Sequence, residues 1–234
     1  MNADQLGKVL SVWAHPDDEA YLSGATMAAC ARGGQRVVCV TATRGEGGSQ
    51  DHDRWPPEKM AEIREVELAR CLETLGVSEH HWLDYVDGTC HEVDPDEAVG
   101  KVRALLDEIQ PDTVLTFGPD GMTGHQDHQA VSRWTTAAFA AAAKPGARLL
   151  YATQTPEWAA QFLPLLEPFN VFTTEPPITP QDQLVFTYLA EGEHLEQKVR
   201  ALLAQESQVE GIYRHVGHEA YAHSVAAEYF RSGP

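Results

Sequence analysis

The sequence predicts an α/β protein: a Rossmann-like, doubly wound, mostly parallel sheet with helices on both faces. Three observations carry this. Short β-branched runs alternate with longer helical patterns across residues 8–153. Gly and Pro punctuate the boundaries between them. A βαβαβ order with right-handed crossovers leaves few other topologies.

The elements follow in order. KVLSVWA (8–14) reads as a buried strand. EAYLSGATMAACARGG (19–34) reads as a helix ended by Gly33 and Gly34. QRVVCVTAT (35–43) is a second strand, and RGEGGSQDHDRWPP (44–57) is a loop on composition. Residues 57–76 form a helix with Pro57 near its start and Gly76 past its end. Its apolar positions Met60, Ile63, Val66, Leu68, Cys71, Leu72 and Leu75 mostly follow the helical period. HHWLDYV (80–86) is a strand, 95–110 a helix, PDTVLTFG (111–118) a strand, 128–143 a helix and ARLLYAT (147–153) a strand. Beyond this, FNVFTT (169–174) reads as a strand, 194–209 as a helix and 222–231 as a further helix. The expected organisation is one domain over 1–234, with a core at 1–153 and an extension at 154–234 that closes over the site.

Composition excludes several functions. The chain has 234 residues, with Lys+Arg 17 against Asp+Glu 35 and a formal net charge of −18. At this length roughly 70–75% of the unfolded surface is buried, so the core needs no disulfide or metal. The charge argues against nucleic acid, which needs a basic face, and against docking on anionic lipid. No apolar stretch approaches the ~18 residues of a spanning helix, so no membrane insertion is expected. The N-terminal stretch lacks the basic leader and cleavage site of a signal peptide. Cys30, Cys39, Cys71 and Cys90 show no CxxC spacing and read as reduced thiols of a cytoplasmic protein.

In an open parallel sheet, ligands bind beyond the carboxyl ends of the strands, where strand order reverses. The loop after the first strand reads Ala14-His15-Pro16-Asp17-Asp18-Glu19. It has one imidazole and three carboxylates where a dinucleotide enzyme has a Gly-rich turn. A helix cap at Asp17 or Asp18 would explain part of this, but not His15. The loop after the fourth strand contains Gly124-His125-Gln126-Asp127-His128. With strand order 3-2-1-4-5 the two loops are neighbours and their side chains share one crevice. Imidazoles with carboxylates suit Zn²⁺ or a similar ion. Spacing alone does not separate His125 from His128 as a ligand.

AHPDDE (14–19) followed by GHQDH (124–128) resembles the PIG-L/LmbE-like family of zinc-dependent N-deacetylases. Weaker matches are TRGEGG (43–48), IREVELARCLETLG (63–76) and AEYF (227–230). The resemblance implies that His15, Asp18 and His128 hold Zn²⁺, with Fe²⁺ or another divalent ion as alternatives. It implies Asp17 as general base and His125 as a second catalytic group, protonated and oriented by Asp127. It also implies Arg64 as a substrate contact, an N-acetylated amino sugar or GlcNAc conjugate as substrate, and a homo-oligomer. Arg44 and Glu46 lie on the same sheet edge and are candidates to line the pocket. The chain departs from the family at Gln205, where many members carry a His before a Ser-Gln or Thr-Gln pair.

Two other functions fit the motifs. One is an amidase that takes a larger acyl group from a thiol conjugate; the other is a non-catalytic metal-binding protein on the same fold. Intact Asp17 and His125 argue against the second. The pair His218 and His223 is not a zincin motif, because a spacing of five puts the rings about 140° apart on a helix. Trp55, Tyr85, His80 and His81 read as packing residues, and Asp51-His52-Asp53 as a solvated loop.

Overall fold

A computed structural model describes residues 2–234. Its strands are β1 (Val9–Trp13), β2 (Val37–Thr43), β3 (Glu79–Tyr85), β4 (Thr113–Phe117), β5 (Arg148–Thr153), β6 (Phe186–Leu189) and β7 (Ala227–Ser232). They form one sheet in the order β3-β2-β1-β4-β5-β7-β6. The first five run parallel, in the order expected from the sequence. β1, β2 and β4 are buried at every residue, as parallel strands covered on both faces are. Their Val-rich sequences suit that position.

The helices are α1 (Asp18–Arg32), α2 (Met60–Leu75), α3 (Pro95–Ile109), α4 (Gly121–Gly124), α5 (Gln126–Ala142), α6 (Pro156–Leu166), α7 (Gly192–Leu203), α8 (Glu206–Val216) and α9 (His218–Val225). From β1 the chain steps outward to β2 and β3, then returns to add β4 and β5 on the other side. Right-handed crossovers therefore put α1 and α2 on one face and α3 and α5 on the other. α7 joins the first layer against α1 and α2, and α3 packs on α5. Local chemistry sets the ends. Asp94 caps α3 by accepting from the Asp96 N–H at 3.0 Å, with Pro95 in the first turn.

The switch point falls between β1 and β4, paired from Val9↔Thr113 to Ser11↔Leu115. The HPDDE and GHQDH loops leave these two strands side by side.

Residues beyond 153 depart from expectation in three places. Residues 169–174 are not a strand. Phe169 closes a 3-10 turn (Glu167–Phe169), Asn170 follows at φ 48°, and Thr173 hooks onto the Thr123 carbonyl by its N–H (2.8 Å) and Oγ1 (2.9 Å). The helix expected over 194–209 is two, α7 and α8, broken at Gln205 (φ −98°, ψ 53°). The Gln205 amide is drawn to Glu19 Oε1 at 2.6 Å. The helix expected over 222–231 ends at Val225, and β7 follows with burial alternating along it. β7 runs antiparallel to β5, and β6 antiparallel to β7, so the extension widens the same sheet. α6 and β6 have no counterpart in the sequence reading.

Candidate active site and metal centre

His15 follows β1, and its two ring nitrogens face different neighbours. Nε2 meets Asp87 Oδ1 at 3.0 Å and Asp127 Oδ2 at 3.2 Å. Carboxylates only accept, so Nε2 donates and Nδ1 keeps a lone pair in the neutral ring. His128 mirrors this. Its Nδ1 lies 2.9 Å from the Gly121 carbonyl, so Nδ1 donates and Nε2 keeps its lone pair. The two lone-pair nitrogens face each other at 3.1 Å. The Asp18 carboxylate lies 3.4 Å from His128 Nε2 and 3.7 Å from His15 Nδ1.

Three acceptors converging on one point in a buried place need a positive charge between them. A divalent cation fits that demand, and each imidazole already has the outer hydrogen bond typical of a metal-bound histidine. The same demand acts on His15 itself. Burial alone would lower its pKa, but Asp127, Asp87 and Asp18 reverse this and raise it to about 10. Burial pushes His128 down to about 4.

A third imidazole stands close by: one nitrogen each from His15, His125 and His128 lie within 4.8 Å of one another. Asp18 and His125 therefore compete as the third ligand, and the Asp18 carboxylate is within 3.7 Å of both nitrogens. The second cluster of ligand-type groups, His15 with Asp87 and Asp127, lies on the outer side of the His15 ring.

His125 is the N-cap of α5, and its Nδ1 accepts the Asp127 backbone N–H at 3.2 Å. That leaves the proton on Nε2. Burial and then the neighbouring His15 lower its pKa. One expectation changes here. The Asp127 carboxylate orients His15, not His125; only the Asp127 backbone reaches His125. The carboxylate also accepts from the N–H groups of Gly88 (2.7 Å) and Cys90 (3.0 Å), which lock it in place. His125 is left to donate through Nε2, because its Nδ1 is spent on the Asp127 backbone N–H.

Asp17 precedes α1 with φ 122° and ψ −36°, a backbone that costs a non-glycine residue about 1–3 kcal/mol. Its side chain makes no capping bond to the helix, so capping does not explain it. Three contacts hold the strained turn. Arg64 donates to the Pro16 carbonyl and, at 3.2 Å, to Asp17 Oδ2. The Asp17 N–H donates to Glu19 Oε2 at 2.9 Å. Burial raises the Asp17 pKa to about 7, against the pull of the Arg64 guanidinium.

Arg64 itself is buried. Besides Pro16 and Asp17, it donates to the Gly45 carbonyl at 2.9 Å, so it fastens the Gly-rich loop to the HPDDE loop. Gly45 (φ 65°) sits flat against the guanidinium, and a Cβ at Gly48 would lie 2.6 Å from its Nη1. The glycines of this loop make room for an arginine. The expected pocket roles of Arg44 and Glu46 do not hold. Arg44 turns outward to Asp84 at 2.7 Å and lies over the Trp82 ring. Glu46 accepts from the Asp87 N–H at 3.1 Å, bracing the loop that carries Asp87. Tyr85 packs on Trp134 and Lys101.

Asp87 was missed by sequence reading. Its only signal is a carboxylate two residues past the end of β3, a third strand-end loop on the same edge. Burial would raise its pKa, but the hydrogen bond and charge of His15 and the Gly47 N–H hold it below the usual carboxylate range. Gln205, the departure from the family pattern, is buried on Glu19 and does not line the cavity.

These groups form the floor of a cavity of about 620 Å³ that reaches His15, Asp17, Asp18, Arg64, His125 and His128. Its other walls come mainly from residues 154–172 and 208–227, with Tyr21, Leu22, Gly48, Gln50 and Met122 among the rest. The arrangement can hold a cation, hold a proton on a carboxylate near neutrality, and offer one N–H to a developing negative charge.

The chain is similar to known proteins. The family profile described as PIG-L, GlcNAc-PI de-N-acetylase, matches residues 10–139. A 1D-myo-inositol 2-acetamido-2-deoxy-alpha-D-glucopyranoside deacetylase from Kineococcus radiotolerans is 36% identical over 62% of this chain, which spans about half (48%) of that relative's length. The protein of the same name from Thermobifida fusca is 33% identical over 86% of this chain and 83% of its own. Among solved structures, the N,N'-diacetylchitobiose deacetylase of Pyrococcus horikoshii superposes with a TM-score of 0.66 at 21% identity. That match covers 97% of this chain and 84% of the other, a likeness of fold.

Proposed function

Because the chain belongs to the PIG-L family of GlcNAc-PI de-N-acetylases, we propose that it is a metal-dependent hydrolase. It removes the acetyl group from an N-acetylated amino sugar or GlcNAc conjugate. The observation that carries this is the convergence of His15 Nδ1, His128 Nε2 and the Asp18 carboxylate within 3.1–3.7 Å, beside Asp17, on the cavity floor.

His15, Asp18 and His128 hold the ion, with Zn²⁺ the first choice and Fe²⁺ or another divalent ion as alternatives. When bound, the ion polarises an amide carbonyl and acidifies water. The residues of the chain do the rest. Asp17 accepts from Arg64 on Oδ2, so its Oδ1 takes the proton of the attacking water. A carboxylate poised near neutrality gives that proton up again, to the nitrogen of the leaving amine. His125 presents Nε2–H to the oxygen that gains charge as water adds. Asp87 and Asp127 keep the His15 Nε2 proton in place and so aim Nδ1 at the ion. Arg64 is a positioning residue for Asp17. Products are acetate and the free amine.

The four cysteines are free and buried, and no helix among the described residues is long and apolar enough to cross a membrane. The thiols support a reducing compartment, the cytoplasm.

The test is release of amine from a panel of N-acetylglucosamine conjugates. Enzyme is stripped with chelator and reloaded with Zn²⁺, Fe²⁺ or neither. Metal-dependent release is expected on at least one conjugate. Silence on all of them would replace this reading with that of a metal-binding scaffold.

A further inference from the structure

The cavity is chemically two-sided. Its floor is polar and charged, and one flank stays polar where Gln208 donates to the Gly48 carbonyl at 3.0 Å. The opposite character comes from the extension: Trp158, Leu166, Phe169, Val171, Phe172 and Ile212 all line the cavity. All but Trp158 are only half-buried, so part of each apolar side chain is left facing the cavity. Trp158 and Phe172 meet edge to face with centroids 6.3 Å apart, and the Trp158 indole N–H is already spent on the Ser224 carbonyl at 2.8 Å. The wall is anchored close to the chemistry. Thr173 binds the Thr123 carbonyl, and a Cβ at Gly124 (φ 79°) would come within 2.5 Å of Thr174 Oγ1. Gly124 immediately precedes His125.

Asn170 is the one polar side chain among the lining residues of 158–172 besides the spent Trp158 indole, so a hydroxyl placed against most of this wall finds no side-chain partner, and an unpartnered buried hydroxyl is costly. A polyol substituent matches only its polar positions. A chain or ring of carbon matches the rest, and cavities of about 300–1,000 Å³ take ligands larger than one small polar group. The geometry points to a substrate that is an amino-sugar amide bearing an apolar substituent, seated on the 158–172 wall while the amide reaches the floor. This rests on the deacetylase reading and narrows its substrate class. The substituent is either the aglycone or the acyl chain on nitrogen.

Three probes separate these: the methyl and hexyl β-glycosides of N-acetylglucosamine, and the methyl β-glycoside of N-hexanoylglucosamine. A hexyl or hexanoyl probe is expected to exceed the methyl acetyl probe about tenfold or more in kcat/KM. Which of the two wins tells where the apolar group sits. Phe172→Ser and Ile212→Ser are expected to shrink that ratio severalfold, with Tm checked to confirm folding. Equal kcat/KM for all three probes would overturn the inference. Calorimetry on the chelated protein keeps the two readings apart. Tighter binding of a hexyl or hexanoyl probe, lost in Phe172→Ser, with no turnover of any probe, keeps the wall and removes the deacetylase. Equal binding of all three without turnover removes both.

Discussion

The floor and the wall of the cavity are built in different ways. The floor uses the ends of adjacent parallel strands, so its geometry follows from topology: β1 and β4 are neighbours, and the His and Asp side chains after them must meet. The wall uses helix and irregular chain from residues 154–172 and 208–227, tied to the sheet at Gln154 after β5 and at Ala227 where β7 begins. The floor is over-determined. His15 Nε2 has two carboxylate acceptors, Asp127 has three donors, and Asp17 is held in an unfavourable backbone from three sides. The wall consists of half-buried apolar groups with a few anchors. A rigid floor and an adaptable wall suit one reaction performed on variable substituents.

This contrast can be broken or sharpened by substitution. The largest effect is expected at the ion. His128→Ala should lose bound metal and all measurable turnover, whereas His125→Ala should keep the metal and lose about 10²–10³ in kcat. Loss of metal from both proteins, read by elemental analysis, would give His125 a ligand's role and dismantle the floor described above. Next comes Asp17→Asn, expected to cost about 10²–10⁴ in kcat with metal content unchanged. A change of less than tenfold would mean that another group takes the proton.

Below these stands a test of the extension itself. Lys198 and Glu228 form a fully buried ion pair at 2.6 Å. Glu228→Gln leaves the ammonium uncompensated and should cost about 3–5 kcal/mol of unfolding free energy, measured with denaturant. A loss under 1 kcal/mol would mean that the extension is not fastened to the core through this pair. The smallest effect is expected at Asp87→Asn: metal affinity weaker by about 10–100-fold, because His15 loses one of its two outer acceptors. Unchanged affinity would show that Asp127 suffices alone.

The same contrast explains what could be read in advance. Parallel strands buried on both faces are continuous apolar runs, and capping residues mark the helices between them, so the order of β1 to β5 and the meeting of the two motifs were legible. Asp87 was not, because a lone acid after a strand has no pattern until its loop folds back beside Gly47. Arg44 and Glu46 were misjudged because the sequence shows which edge a loop occupies but not which way it turns; Arg64 and its glycines decide that. In the extension the periodic signal fails. Gln205 looks helical yet breaks a helix, because the acid it must satisfy, Glu19, is 186 residues away. β7 escaped because its strand alternation begins just two residues after α9 ends.

Glu228 has one more consequence. Its carboxylate takes the N–H groups of Ala25 (2.7 Å) and Thr26 (2.8 Å) in the middle of α1, while Lys198 takes the Tyr21 carbonyl at 2.9 Å. Tyr21 and Ala25 are the two ends of one rung of the helix that begins at Asp18. During synthesis the HPDDE loop leaves the ribosome early, whereas the acid that takes these N–H groups lies 203 residues beyond Ala25. A nascent chain that has not reached residue 228 therefore carries the motif without this fastening.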